Sequence, residues 1–231
     1  MSLPSTPVDD NAATLQGEVT IATTTGLAGS LFPVLLRDFR KLHRNVMVRV
    51  LDMPFAEISQ AVASGKVDLG LAYGLPDKPE FLTLAAREWQ VGVVVPGHHA
   101  LAERHDASLR DCVGSPLILP APNMSLRGLL DAGFTQAGLN VAPAFETSST
   151  TLMRRLAALG VGITFLNPLD VLEECQRGEL AFVPLTDAGL KSQTLRLIAD
   201  QHQPLSPCAK LFADALSEQS VLRAPAARKG R

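Results

Sequence analysis

Cysteine is scarce in this 231-residue chain: Cys112, Cys175 and Cys208 are an odd number with no paired spacing. That excludes a disulfide framework, fits free thiols in a reducing compartment and predicts a cytoplasmic protein. No apolar run approaches the ~20 residues needed to cross a membrane, so no membrane partner is expected. Met1 to Gln16 has neither a basic stretch nor an apolar stretch of a secretory signal, and residues 1–16 read as a disordered tag or linker. Clustered basic residues are also missing. The net charge is −2, and the one basic run, Arg223, Arg228, Lys229 and Arg231, falls in residues 220–231, which read as a disordered tail. A protein that grips DNA neutralises several phosphates with clustered Lys and Arg, so this chain alone is not expected to bind DNA.

Catalytic signatures are absent too. There is no Gly-x-Ser-x-Gly elbow and no Gly-rich phosphate loop ending in Lys-Ser/Thr, and Gly26 to Ser30 lacks the spacing of a dinucleotide fingerprint. His98, His99 and His105 match no zinc spacing and read as a surface loop. The expectation is a protein that is not an enzyme, with no catalytic residue, no metal and no cofactor.

What the chain does have is a globular composition, 46% hydrophobic and 19% charged, and a strong alternation of elements. A strand over Glu18 to Ala22, a helix over about Leu27 to Leu42, a strand over Val46 to Leu51 and a helix from about Phe55 lead into Val67 to Tyr73. Gly65 falls where a left-handed helix cap is due. This is β-α-β-α-β, whose spacing requires parallel strands and right-handed crossovers. Parallel sheets bind ligands beyond the carboxyl ends of their strands.

Gly17-Glu18-Val19-Thr20-Ile21-Ala22, Gly65-Lys66-Val67-Asp68-Leu69-Gly70-Leu71, Val93 to Ala102 and Ala157-Ala158-Leu159-Gly160-Val161-Gly162-Ile163 follow one another in order. In that order and spacing the chain resembles the effector-binding domain of LysR-type transcriptional regulators, from about Gly17 to about Glu218. The resemblance implies an α/β fold of two Rossmann-like lobes with paired crossover strands, like type II periplasmic binding proteins. Residues 17–95 with 199–219 would form the first lobe and 96–198 the second, with hinges near Val95-Pro96 and Ile198 to Asp200. It also implies a small-molecule effector, a homodimer (a tetramer when full-length), and DNA contact only through a helix-turn-helix that this chain lacks. The same two lobes also suit the solute-binding protein of a transporter, or an enzyme with a general acid/base in its cleft.

Candidate binding residues follow from the loops at strand ends. Thr23, Thr24, Thr25 and Gly26 open the first helix, where free N–H groups and hydroxyls suit a carboxylate, although a plain helix cap also explains them. Thr147 to Thr151 opens a later helix with more hydroxyls than one cap requires, and Ser148, Ser149 and Thr150 are assigned to the same ligand from the opposite lobe. Two helix starts, one per lobe, would then converge on a small organic acid or other anion. Asn123 and Met124, in a loop stiffened by Pro120 and Pro122, are the next candidates. Arg127 is either a carboxylate partner in the cleft or a solvated surface residue. Asn167 stands where the family usually has proline. It either bonds ligand or, the preferred reading, caps the helix that begins at Pro168.

On the helix over Leu27 to Leu42, apolar residues span an arc of ~200°, wider than docking on one sheet requires. Leu31, Phe32, Leu36 and Phe39 are therefore expected at an isologous dimer interface, with Phe32 and Leu36 as the chief surplus.

Overall fold

The computed structural model describes residues 15–190, 192–219 and 221–222. Ten strands form two five-stranded sheets, one per lobe. The first lobe opens with β1 (Gly17–Thr23), α1 (Thr25–Ser30), α2 (Phe32–Leu42), β2 (Val46–Asp52), α3 (Phe55–Ala63), β3 (Leu69–Tyr73) and β4 (Phe81–Trp89). The chain crosses to the second lobe for β5 (Gly92–Pro96), α4 (Leu109–Cys112), β6 (Leu117–Pro120), α5 (Ser125–Gln136), β7 (Phe145–Thr147), α6 (Thr150–Ala158), β8 (Ile163–Leu166), α7 (Leu172–Gln176) and β9 (Leu180–Pro184). It returns through β10 (Gln193–Asp200) and ends in α8 (Pro207–Ser217), with short 3-10 turns at Ala100–Glu103 and Pro168–Val171.

The first sheet has the order β2-β1-β3-β10-β4 and the second β7-β6-β8-β5-β9. In each, three parallel strands are followed by one antiparallel strand, which has just crossed over from the other lobe, and the fifth strand again runs with the first three. This is the expected two-lobed α/β architecture with paired crossovers. The crossings lie earlier in the chain than the sequence suggested. Val95-Pro96 is inside β5 of the second sheet and Ile198 to Asp200 is inside β10 of the first, so the links are Gln90-Val91 and the segment after Leu185. The two links run side by side, with the Leu185 N–H donating to the Val91 carbonyl at 3.0 Å. Phe81 to Val95 read as one extended stretch because it holds no breaker before Gly92. At Gly92 a β-carbon would lie 2.4 Å from the Phe182 ring, so the glycine lets the chain pass into the second sheet.

The helix expected over Leu27 to Leu42 is two helices separated at Leu31. Pro33 has no N–H to donate to Gly29, and its ring clashes with that carbonyl, so one continuous helix cannot pass through it. Gly65 ends its helix with φ of +69°, as its position predicted, and Gly138 and Gly160 end theirs in the same way at +67° and +70°.

Two apolar clusters cover the faces of each sheet. Phe39 of α2 meets Phe212 of α8 edge-on, with ring centroids 5.0 Å apart, so the last helix packs back on the first lobe. Leu15 packs on this cluster and Leu222 is 3% exposed within it, so the ordered body extends past both expected boundaries, residues 16 and 220. Residues 1–14 and the basic tail positions Arg223, Arg228, Lys229 and Arg231 lie outside the described residues.

The dimer-face assignment needs correction. Phe32 and Phe39 are 2% and 4% exposed, and both belong to the first lobe's own core. Leu31 and Leu36 are partly buried against that core. The wide apolar arc of α2 is used within the lobe, because α8 packs back on α2 and Phe39 meets Phe212 there, in addition to the sheet. The apolar side chains left in solvent are Val34, Leu42 and, on the adjacent β2, Met47, which are 53%, 70% and 50% exposed.

Candidate functional site

The lobes enclose a cavity of about 390 Å3. The first lobe contributes Thr24 and Thr25 after β1, Asp52 to Phe55 after β2, and Tyr73 at the end of β3. The second contributes Asn123 to Leu126 after β6, Ser148 and Thr150 after β7, Leu166 and Asn167 at the end of β8, and Asp170. Every wall segment lies at the carboxyl end of a parallel strand, where side chains and loop N–H groups are not consumed by the sheet.

The lobes touch on either side of this cavity at glycines. A β-carbon on Gly26 would lie 2.1 Å from Asp170 Oδ1 and 3.5 Å from Thr150 Cγ2. One on Gly74, whose φ is +76°, would lie 3.4 Å from Ser125 Cβ. Leu169, in the 3-10 turn between these contacts, leaves its own lobe and is 4% exposed in the first lobe's core cluster. Its neighbour Val171 belongs to the second lobe's core. The turn Pro168–Val171 therefore ties the lobes together directly behind the cavity.

Of the residues singled out from sequence, Thr24, Thr25, Asn123, Met124, Ser148, Thr150 and Asn167 line the cavity together. Thr23, Ser149 and Gly26 do not. Thr23 is fully buried, and its hydroxyl donates to the Leu71 carbonyl at 2.8 Å, so alternation along β1 turns it into the sheet. Ser149 is the helix cap of α6, accepting from the Leu152 N–H at 3.2 Å. Gly26 is buried beneath the Asp170 carboxylate.

The start of α1 is therefore faced by a carboxylate of the protein itself, and α1 is only six residues long. The longer helices whose first turns open on the cavity are α3 in the first lobe and α5 and α6 in the second. Neither α3 nor α5 carries a side-chain cap, so their leading N–H groups remain available.

Arg127 takes neither of its two expected roles. Its guanidinium is bound within its own lobe to Asp131 at 2.9 Å, to Glu146 and to the Pro120 carbonyl. Asn167 does not cap the turn after it. Its Nδ2 donates to Gln193 Oε1 at 3.0 Å, across the boundary between β8 and β10, and both side chains are buried.

Asp52, Asp170 and Tyr73 were not foreseen. Asp52 ends β2, and the rule that selected Thr23 to Thr25 at the end of β1 would have found it. Its Oδ1 accepts from the Thr25 hydroxyl at 3.0 Å. Asp170 follows Pro168 in the first turn of a helical segment, where an acid ordinarily just answers the helix dipole. Burial raises its pKa to about 6, against the pull of the Asn167 amide and the Arg154 charge. Burial and the nearby Asp170 charge push the Tyr73 hydroxyl well above its ordinary range. Among the described residues no group of three or more His, Cys, Asp or Glu is arranged to hold a metal ion.

The LysR substrate binding domain family matches residues 12–220. The chain is 27% identical over 213 residues to the HTH-type transcriptional regulator BbuR of Bordetella bronchiseptica, covering 92% of this chain and 63% of BbuR. It is 27% identical over 183 residues to the regulator CysB of Burkholderia cenocepacia, covering 79% of this chain and 55% of CysB. The chain thus spans roughly three fifths of the length of these relatives. In fold it is similar to the cofactor-binding domain of the Cbl transcriptional regulator, with a TM-score of 0.75, 22% identity and coverage of 91% and 92% of the two chains. It is also similar to the effector-binding domain of QuiR in complex with shikimate, with a TM-score of 0.70, 19% identity and coverage of 87% and 95%. These relatives are transcriptional regulators, neither enzymes nor transport receptors. The ordered lobes, the enclosed inter-lobe cavity and the match over residues 12–220 make one assignment: the chain belongs to the LysR substrate-binding-domain family, the effector-binding part of LysR-type transcriptional regulators.

Proposed function

We propose that this chain senses a small organic acid in the cavity between its lobes and passes the resulting change in lobe angle to a helix-turn-helix elsewhere in a full-length, cytoplasmic regulator. One observation carries the reading. The cavity is walled by both lobes, so a ligand filling it gains contacts from each only while they are together. A ligand with different affinity for the closed and open arrangements shifts their populations by that difference. The turn Pro168–Val171 is the element it would bias, since its Leu169 and Asp170 are among the second lobe's contacts with the first. An acid group suits the first turns of α3, α5 and α6, where N–H groups and the hydroxyls of Ser148 and Thr150 can replace its lost water.

Two copies are proposed to associate isologously. Val34 and Leu42 of α2 and Met47 of β2 are exposed apolar side chains of the first lobe, and Leu152 of α6 and Leu159 just after it are exposed in the other. An antiparallel pair would lay the first group of each copy on the second group of the other.

The test is thermal stabilisation of the chain by a panel of small organic acids, repeated with Thr150→Val and Ser148→Ala. Stabilisation that both substitutions weaken supports the cleft. Stabilisation that neither alters places the ligand elsewhere and overturns the reading.

A further inference from the structure

We propose that the effector carries a protonated amine beside its acid group, and that the amine is held where the Asp170 carboxylate, the Asn167 carbonyl oxygen and the Tyr73 hydroxyl meet at one end of the cavity. This rests on the cleft being the effector site.

The inference comes from acceptors left without donors. Asn167 and Tyr73 are each 4% exposed, and both line the cavity. The Asn167 Oδ1 and the Tyr73 hydroxyl are buried without a hydrogen-bond partner. A buried polar atom without a partner costs on the order of 1–3 kcal/mol, which a ligand group that bonds it would recover. Asn167 fixes the sign of that group. Its Nδ2 is committed to Gln193, so what remains is an acceptor, and it requires a donor. Asp170 lies beside it and is coupled electrostatically to both Asn167 and Tyr73.

Charge points the same way. The cavity wall holds two carboxylates, Asp52 and Asp170, and no Lys, Arg or His. The cation felt by Asp170 is Arg154, which is already paired with Glu174 at 3.0 Å. A lone anion here would meet two carboxylates with only helix starts to offset them. An effector with both groups puts its acid at the starts of α5 and α6 and its amine at Asp170. An ammonium brings three donors and no acceptor, which suits a carboxylate, an amide oxygen and a phenol oxygen.

The experiment is calorimetric titration of the chain with straight-chain and α-amino acids, each paired with the carboxylate lacking the amine. It is repeated with Asp170→Asn, Tyr73→Phe and Thr150→Val. The expected result is binding by amine-bearing members, a Kd weakened about tenfold or more in Asp170→Asn, and a smaller loss in Tyr73→Phe. Three results overturn the inference: no binding by any amine-bearing member, equal binding by the deaminated partners with no loss in Asp170→Asn, or stabilisation by potassium or magnesium alone. If deaminated acids bind and Thr150→Val weakens them, the cleft reading survives without the amine. Binding indifferent to every substitution removes both.

Discussion

Gly26 of the first lobe lies directly beneath Asp170 of the second, so that a β-carbon added to Gly26 would stand 2.1 Å from Oδ1 and 3.0 Å from Cγ of that carboxylate. The smallest side chain is thus a condition for the lobes to meet as they do. Asp170 is buried and hydrogen-bonded by Asn167, so a carboxylate turned aside to clear that β-carbon gives up the bond.

Gly26→Ala should therefore hold the lobes apart without unfolding either one. The expected outcome is a chain with near-native circular dichroism, a larger radius of gyration by small-angle scattering, and little or no thermal stabilisation by effector. Pairing it with Asp170→Ala should restore the radius of gyration, because the clash is between those two side chains alone. A double variant as expanded as the single one would show that the contact does not govern closure.

Asp170 also makes the stability of the free chain depend on pH. Its folded pKa of about 6 lies above the unfolded value of about 3.9. A group raised in this way favours the folded state below pH 4, and that contribution is lost as pH rises through 6. Burial raises its pKa, the Asn167 hydrogen bonds and the Arg154 charge lower it, and Tyr73 is itself neutral in this range. Asp170→Asn should match the native chain in denaturant unfolding near pH 3.5. It should exceed it near pH 8 by on the order of 3 kcal/mol. Equal stability at both values would mean that Asp170 is solvated in solution.

The two kinds of apolar residue on α2 should separate cleanly. Phe32 is core, and Phe32→Ala should cost about 3–5 kcal/mol of stability whatever the oligomeric state. Val34 is 53% exposed, so Val34→Glu should leave the melting temperature of the monomer within a degree or two of native. In sedimentation velocity, the same Val34→Glu chain should run as a monomer at concentrations where the native chain is a dimer. An unchanged sedimentation coefficient in the variant would place the interface on another surface.

The alternation of strands and helices was readable because each element carries its own period and its own stop, such as Gly65 and Gly160 at helix ends. Loops at strand ends were therefore findable, and seven of the ten chosen ligand candidates line the cavity. What was not readable depends on the position of the other lobe. Ser149 and Thr150 are adjacent hydroxyls on one helix start, and only the three-dimensional path decides that the first caps and the second faces the cavity. Phe32 is buried although the arc exceeds what one sheet needs, because α8, far along the chain, returns to cover α2 in the same core. Asp170 gave no signal at all, since its burial comes from Gly26, 144 positions earlier in the chain.

Asn167 and Gln193 form the polar link between the end of β8 and the start of β10, where the second lobe gives way to the first. Gln193 is 7% exposed and Asn167 is 4% exposed, so water does not readily replace either partner. Gln193→Ala leaves the Asn167 Nδ2 buried without an acceptor, beside an Oδ1 that already lacks a donor. The expected loss is about 1–3 kcal/mol in denaturant unfolding. Gln193→Glu keeps the acceptor in the same place, so it should retain more of the stability than Gln193→Ala. Effector binding distinguishes a hinge role from a local one. If the link orients Asn167 toward the cavity, Gln193→Ala weakens effector binding by more than its stability loss explains, because the amide is then free to turn its Nδ2 inward. Binding that survives intact in Gln193→Ala would confine the pair to holding the crossover together.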